Sequence, residues 1–169
     1  MKRQHNSRNC FLCGMDNPIG LKLAFYELDD GRVAARFTPR EEHQGYPGVM
    51  HGGIACALLD ETIGRTLENL DIWAMTVDLN TRFLKPVPLN EPITVIGEMV
   101  RLRSRTMEGK GEIRLEDGTV AVVAEARYIR LTQEKMDEFR NELSFWQIVE
   151  EDQQQEAETQ EALRRIVSE

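Results

Sequence analysis

The chain has no long hydrophobic run, and its apolar stretches fall well short of the ~20 residues needed to cross a bilayer. The polar, basic start MKRQHNSRN lacks the apolar centre of a secretory signal, so the expected setting is soluble and cytoplasmic. Cysteine is scarce too: Cys10, Cys13 and Cys56 are an odd number, too few for a disulfide scaffold, and a reducing compartment would keep them as thiols. Aromatic residues make up 7% of the chain. They do not interleave with a basic stripe, which argues against nucleic acid as a partner.

Net positive charge is also missing. The formal charge is −8, but residues 133–169 hold 11 Asp+Glu against 4 Lys+Arg, net −7, leaving −1 for residues 1–132. The body is therefore nearly neutral and does not repel an anionic ligand. With 169 residues and 41% hydrophobic content, the chain can bury one good core but is short for two independent domains.

After a polar lead carrying Cys10-x-x-Cys13, residues 21–26 and 32–37 read as strands separated by the turn signal Asp29-Asp30-Gly31. Residues 40–50 show neither period and read as a loop. From Gly52 to about Asn69 good helix formers are apolar on nearly every side for two turns, which predicts a buried helix. Residues 74–84, 93–103, 112–116 and 120–131 follow as strands, punctuated by Lys85-Pro86-Val87-Pro88, Gly109 and Asp117-Gly118. The plan is α+β, with about six antiparallel strands curled around one long buried helix. It divides into an N-terminal segment 1–19, a domain 20–132 and an acidic, largely helical C-terminal extension 133–169. In that extension Met136, Phe139, Leu143, Trp146 and Val149 predict a docked amphipathic helix, and the polar residues beyond it a mobile or weakly helical tail.

Chemistry concentrates around the predicted helix. His51-Gly52-Gly53 stands where the loop becomes helix, so unpaired N–H groups and the positive end of the helix dipole face outward there. Such a point suits a carbonyl oxygen gaining negative charge, and glycine lets it approach the backbone closely. The ordinary alternative is a tight helix start. Asp60 places a carboxylate in an otherwise apolar helix beside the small residues Gly53, Cys56, Ala57 and Gly64, which leave room for a ligand or a packed helix. A salt bridge or a surface position is its structural reading. Gly52 and Asp60 are about 12 Å apart along a helix, too far for one carbonyl to meet both. Two such helices antiparallel across a two-fold axis would bring them together, so this chemistry requires at least a dimer. On the following strand, clean alternation puts Val77, Leu79, Thr81 and Phe83 on one face and Thr76, Asp78, Asn80 and Arg82 on the other. Thr76 is either a water-holding hydroxyl or an ordinary β-favouring residue.

The stretch His43-Gln44-Gly45-Tyr46-Pro47-Gly48-Val49-Met50-His51-Gly52-Gly53-Ile54, with Leu58-Leu59-Asp60-Glu61 and Thr76-Val77-Asp78-Leu79-Asn80, resembles the PaaI-type acyl-CoA thioesterases of the hot-dog superfamily. Cys10 to Gly14 and Asn17 to Leu21 resemble an opening seen in many members, and the likeness spans roughly residues 10–131. The resemblance implies a hot-dog fold and a thioester hydrolase in which Asp60 is the catalytic carboxylate, Gly52 the oxyanion-binding amide and Thr76 the orienter of water. His51 would shape the loop or bond the substrate carbonyl. Asp60 would act as general base or attack directly to form an anhydride. No metal or cofactor is required, coenzyme A being part of the substrate, and the acyl group is small to medium or aromatic. Some relatives carry Asn six positions before the histidine, where this chain has Gly45. That role is absent or passes to His43 or Gln44. Gly53, Arg82, Lys85 and Arg103 are further substrate-binding candidates, with Arg101 and Arg105 as other basic residues near strand ends.

Cys10-x-x-Cys13 has metal-ligand spacing but no second pair, so core packing is the leading expectation, with zinc completed by His5 or His43 the lesser one. Two alternatives remain for the whole chain. A hot-dog hydratase or dehydratase would abstract a carbon-bound proton using His51, although the histidine spacing expected of one is missing. A non-catalytic acyl-CoA-binding module would not need Asp60. The expected assembly is a homodimer or a dimer of dimers.

Overall fold

The computed structural model describes residues 1–139, 146–149 and 153–168. Its strands are β1 (Lys2–Arg3), β2 (Phe25–Glu27), β3 (Val33–Phe37), β4 (Ala74–Phe83), β5 (Ile93–Leu102), β6 (Thr106–Arg114) and β7 (Val120–Arg130). They form one antiparallel sheet in the order β1-β2-β3-β5-β6-β7-β4. Helix α1 (Gly52–Gly64) lies between β3 and β4 in sequence, so the chain crosses the sheet and lays β4 on its far edge beside β7. The helix predicted to run to about Asn69 instead tightens after Gly64 into a 3₁₀ segment, Arg65–Leu70, ending at Asp71 with φ 52°.

Leu58, Leu59 and Ile63 of α1 are fully buried against Val33, Val95, Ile113 and Val122 of the sheet. Three glycines permit this approach. A Cβ on Gly97 would stand 2.6 Å from Thr62 O, one on Gly109 2.4 Å from Ile63 Cγ2 and one on Gly111 2.8 Å from Ile63 Cγ1. This corrects the strand expected at 112–116: Gly109 and Gly111 do not interrupt the sheet but lie within β6, where a backbone must pass close to a helix. The turn expected at Asp29-Asp30-Gly31 is present, with Gly31 at φ 85° and Asp30 Oδ1 accepting from Arg32 N at 3.1 Å.

The N-terminal segment is woven into the sheet rather than appended. β1 pairs with β2, and buried Asn6 donates to the carbonyls of Cys13 (2.8 Å) and Leu23 (2.9 Å).

The C-terminal extension differs from expectation. Helix α2 (Gln133–Phe139) buries none of its residues, Leu143 falls in 140–145 outside the described residues, and Trp146 packs on Trp73 at 5.5 Å. The stretch expected to be a mobile or weakly helical tail contains α3 (Gln153–Val167), whose Leu163 and Ile166 are buried. Leu163 meets Tyr26, Leu28, Ala34 and Ile96, residues alternating with those that face α1, so α3 covers the opposite side of the sheet. Two apolar residues three apart are a weak sequence signal. Tertiary partners complete the docking: Arg114 Nη1 donates to Ile166 O at 2.8 Å and Arg32 Nη2 to Val167 O at 3.5 Å, cations at the negative end of the helix. Among the described residues no helix is long and apolar enough to cross a membrane.

Candidate active site

The loop before α1 is fastened by its own side chains. His43 Nδ1 accepts from Arg40 N at 2.9 Å while its ring lies 5.0 Å from that of Phe37, and Gln44 Oε1 accepts from Gly48 N at 2.9 Å. Gly48, at φ 78°, makes the turn. A Cβ at Gly45 would stand 3.1 Å from His51 Cα, so a larger residue there would crowd the start of α1. His43 and Gln44 thus hold the loop that presents His51.

His51 caps α1. Its Nδ1 accepts from Gly53 N at 2.9 Å, which satisfies one of the amides a helix start leaves unpaired and makes Nε2 the protonated nitrogen of the neutral ring. The Gly53 amide is thereby occupied, whereas Gly52 N has no acceptor among the described residues. The Phe83 ring flanks Gly52, with Cζ 3.2 Å from where a Cβ would be.

Two turns further on, Asp60 is half-buried and its Oδ1 accepts from Thr76 Oγ1 at 2.7 Å. Its own carbonyl accepts from the Tyr128 hydroxyl at 3.1 Å. Burial, and after it the charges of Asp60 and Glu61, push the Tyr128 hydroxyl well above the usual tyrosine range. A cavity of about 520 Å³ opens here, lined by Asp60, Gly64, Trp73, Thr76, Tyr128 and Trp146 among others.

Thr76 reaches Asp60 because β4 does not alternate as its sequence suggests. Thr76 pairs with Tyr128 and Asp78 with Arg127, leaving Val77 without a partner in a β-bulge. Thr76 therefore shares the α1 side with Leu79, Thr81 and Phe83, while Asp78, Asn80 and Arg82 face away. The ion pair of Asp78 with Arg127 at 3.1 Å lies on that outer side. The expectation that Thr76 and Arg82 share a face is corrected.

The basic candidates are scattered. Arg82 is exposed on the outer face, Lys85 is exposed two residues beyond Phe83, and Arg103 sits in the β5–β6 turn, its N donating to Thr106 O. Within one chain none joins Asp60. Sequence reasoning missed Tyr128, Trp73 and Trp146; their convergence depends on pairing of β4 with β7 and on the path of the C-terminal extension, for which no local motif exists.

Residues 47–122 match the family model described as the thioesterase superfamily. The chain is 27% identical over 136 residues to the acyl-coenzyme A thioesterase THEM4 of Mus musculus, covering 79% of this chain and 59% of that protein. It thus spans about three-fifths of that relative's length. A solved thioesterase superfamily protein is 33% identical with a TM-score of 0.69, the match covering 72% of this chain and 63% of that one. The E. coli PaaI protein shares the fold at 16% identity and a TM-score of 0.62, over 66% of this chain and 81% of its own. The curled sheet around α1 and the likeness to these proteins give the chain the hot-dog fold, and the loop, helix and strands that build the site are similar to the thioesterase superfamily.

Proposed function

We propose that this protein hydrolyses the thioester of acyl-coenzyme A at a site formed between two copies of the chain. The observation that carries the proposal is the pairing of Asp60 with Thr76 near one end of α1 and a Gly52 N–H without an acceptor among the described residues at the other. The edge strand β4 supports a dimer. It leaves Met75, Val77 and Phe83 more than half exposed, an apolar edge that a second copy can cover.

In the proposed site the Gly52 N–H polarises the thioester carbonyl and receives its developing negative charge, aided by the helix dipole. Asp60 of the partner subunit supplies the carboxylate, as general base toward water or as nucleophile forming an anhydride. Because Thr76 donates to Oδ1, Oδ2 remains for the water or the carbonyl carbon, and the threonine lone pairs can accept from that water. His51 is exposed, and its Nε2–H, left over when Nδ1 accepts from Gly53, is available to bond the substrate. Lys85, exposed two residues beyond the Phe83 that flanks Gly52, is the leading candidate for the phosphates of coenzyme A, with Arg103 and Arg82 as further candidates. Trp73, Trp146 and Tyr128 around the cavity favour a compact or aromatic acyl group. The reaction needs no cofactor. The three unpaired cysteines suit the reducing cytoplasm.

The test is thiol release from short, medium, long and aromatic acyl-CoAs by the native chain and by Asp60→Asn. Turnover that falls by about two powers of ten in the variant supports the carboxylate route. Absence of turnover on every substrate, with binding retained, would make the chain a non-catalytic acyl-CoA module. Addition of water to an enoyl-CoA, or its release from a 3-hydroxyacyl-CoA, without free thiol would make it a hydratase or dehydratase.

A further inference from the structure

We propose that Cys10, Cys13 and Glu61 form a binding site for a thiophilic divalent cation such as zinc, which fastens the N-terminal segment to α1 beside the catalytic carboxylate. The two sulfurs and a Glu61 oxygen lie within 4.8 Å of one another, and Cys10 Sγ is 3.8 Å from Glu61 Oε2. The ligand-to-ligand edge of a tetrahedral zinc site with sulfur donors is about 3.8 Å. The third ligand comes from the helix: among the described residues the ligand atoms that gather with the two sulfurs are those of Glu61, not of His5 or His43.

The surroundings are arranged for thiolates. Leu12 N donates to Cys10 Sγ at 3.3 Å and Ser7 N to Cys13 Sγ at 3.4 Å. Gly14 closes the Cys-x-x-Cys turn, with its N donating to Cys10 O at 2.8 Å; a Cβ there would lie 2.3 Å from that oxygen. Ser7 Oγ, 3.4 Å from Cys13 Sγ, or a water takes the fourth position.

Arg65 supplies the second layer of such a site. Its Nε bonds Glu61 Oε1 at 2.9 Å, which turns Oε2 toward Cys10 in the way an outer partner orients a ligating carboxylate. Charge is consistent as well. Two thiolates and a carboxylate around a dication leave one net negative charge, and the buried guanidinium beside them offsets it.

The full chain, reduced and stripped with a chelator, is titrated with Co²⁺. The expected result is one equivalent per chain giving the near-ultraviolet thiolate-to-cobalt band and the visible bands of a tetrahedral ion, both displaced by Zn²⁺. Cys10→Ser and Cys13→Ser each weaken the thiolate band, Glu61→Gln keeps it but shifts the visible bands, and Cys56→Ser changes neither. Should a cysteine variant fail to fold, the native chain still decides: Zn²⁺ slows alkylation of Cys10 about tenfold or more without affecting Cys56. Absence of the cobalt bands, their survival in a folded Cys10 or Cys13 variant, or equal alkylation rates with and without Zn²⁺ overturns the site. Visible bands unchanged in Glu61→Gln remove Glu61 from it.

Discussion

Thr76 on β4 and Asp60 on α1 meet through a 2.7 Å hydrogen bond from hydroxyl to carboxylate, and the bulge at Val77 sets which side of β4 the threonine shares. The bond fixes one carboxylate oxygen and leaves the other free. Thr76→Val should therefore lower turnover about tenfold while Thr76→Ser retains most of it, a smaller effect than that of Asp60→Asn. Circular dichroism should show all three variants folded. Equal turnover in Thr76→Val and the native chain would show that the bond has no part in the chemistry.

Assembly can be read from complementation. A Gly52→Val chain and an Asp60→Asn chain should each be inactive. Refolded together in equal amounts, they should regain about a quarter of native activity, since half of the random dimers are mixed and each of those holds one intact site. No recovery in mixtures verified to contain mixed dimers would place both groups in separate roles.

Glycines along the helix separate function from stability. Gly97→Ala drives a Cβ to 2.6 Å from the Thr62 carbonyl oxygen and 2.8 Å from Ile63 Cα. These are backbone atoms that cannot rotate away, so a loss of about 1–3 kcal/mol is expected from urea unfolding. Gly52→Ala meets only the Phe83 ring at 3.2 Å, which can give. Its stability should change little while turnover falls.

Tyr128 provides a pH signature. Its folded pKa lies above the unfolded value near 10, so folded and unfolded forms are equally protonated below that value and the full contribution of the hydroxyl is present. Above it the unfolded chain ionises first, and the contribution is lost as pH rises toward the folded pKa. Tyr128→Phe, which removes the 3.1 Å bond to Asp60 O, should cost about 0.5–1.5 kcal/mol at pH 8. The gap from the native chain should narrow above pH 10. A gap constant across that range would mean that the hydroxyl does not resist ionisation.

Leu163 anchors α3 with no exposed surface. Leu163→Ala should cost about 2 kcal/mol or more, or release α3 outright. Hydrogen exchange confined to α3 would show release, and the uncovered Tyr26, Leu28 and Ile96 should then promote association. Unchanged protection of α3 would show that its arginine contacts suffice for docking.

The residues by themselves determined the α+β plan, the buried helix beginning at Gly52 and most strand positions, because these depend on local periodicity and on turn chemistry; they singled out Asp60 as a charge among apolar neighbours. The resemblance carried by His51-Gly52-Gly53 and Thr76 gave those positions candidate roles. Only the tertiary structure decided that Gly109 and Gly111 sit inside β6, since their purpose is to let Ile63 pass, and that residue lies far away in sequence. The side of β4 that Thr76 shares was likewise outside local reach, because a bulge is a mismatch between two strands and neither strand records it alone. The docking of α3 draws on Leu163 and on Arg32, just before β3, and Arg114 of β6, which meet its last carbonyls from far away in sequence. Glu61, the neighbour of Asp60 in the sequence, came to face Cys10 only when the N-terminal segment folded against α1.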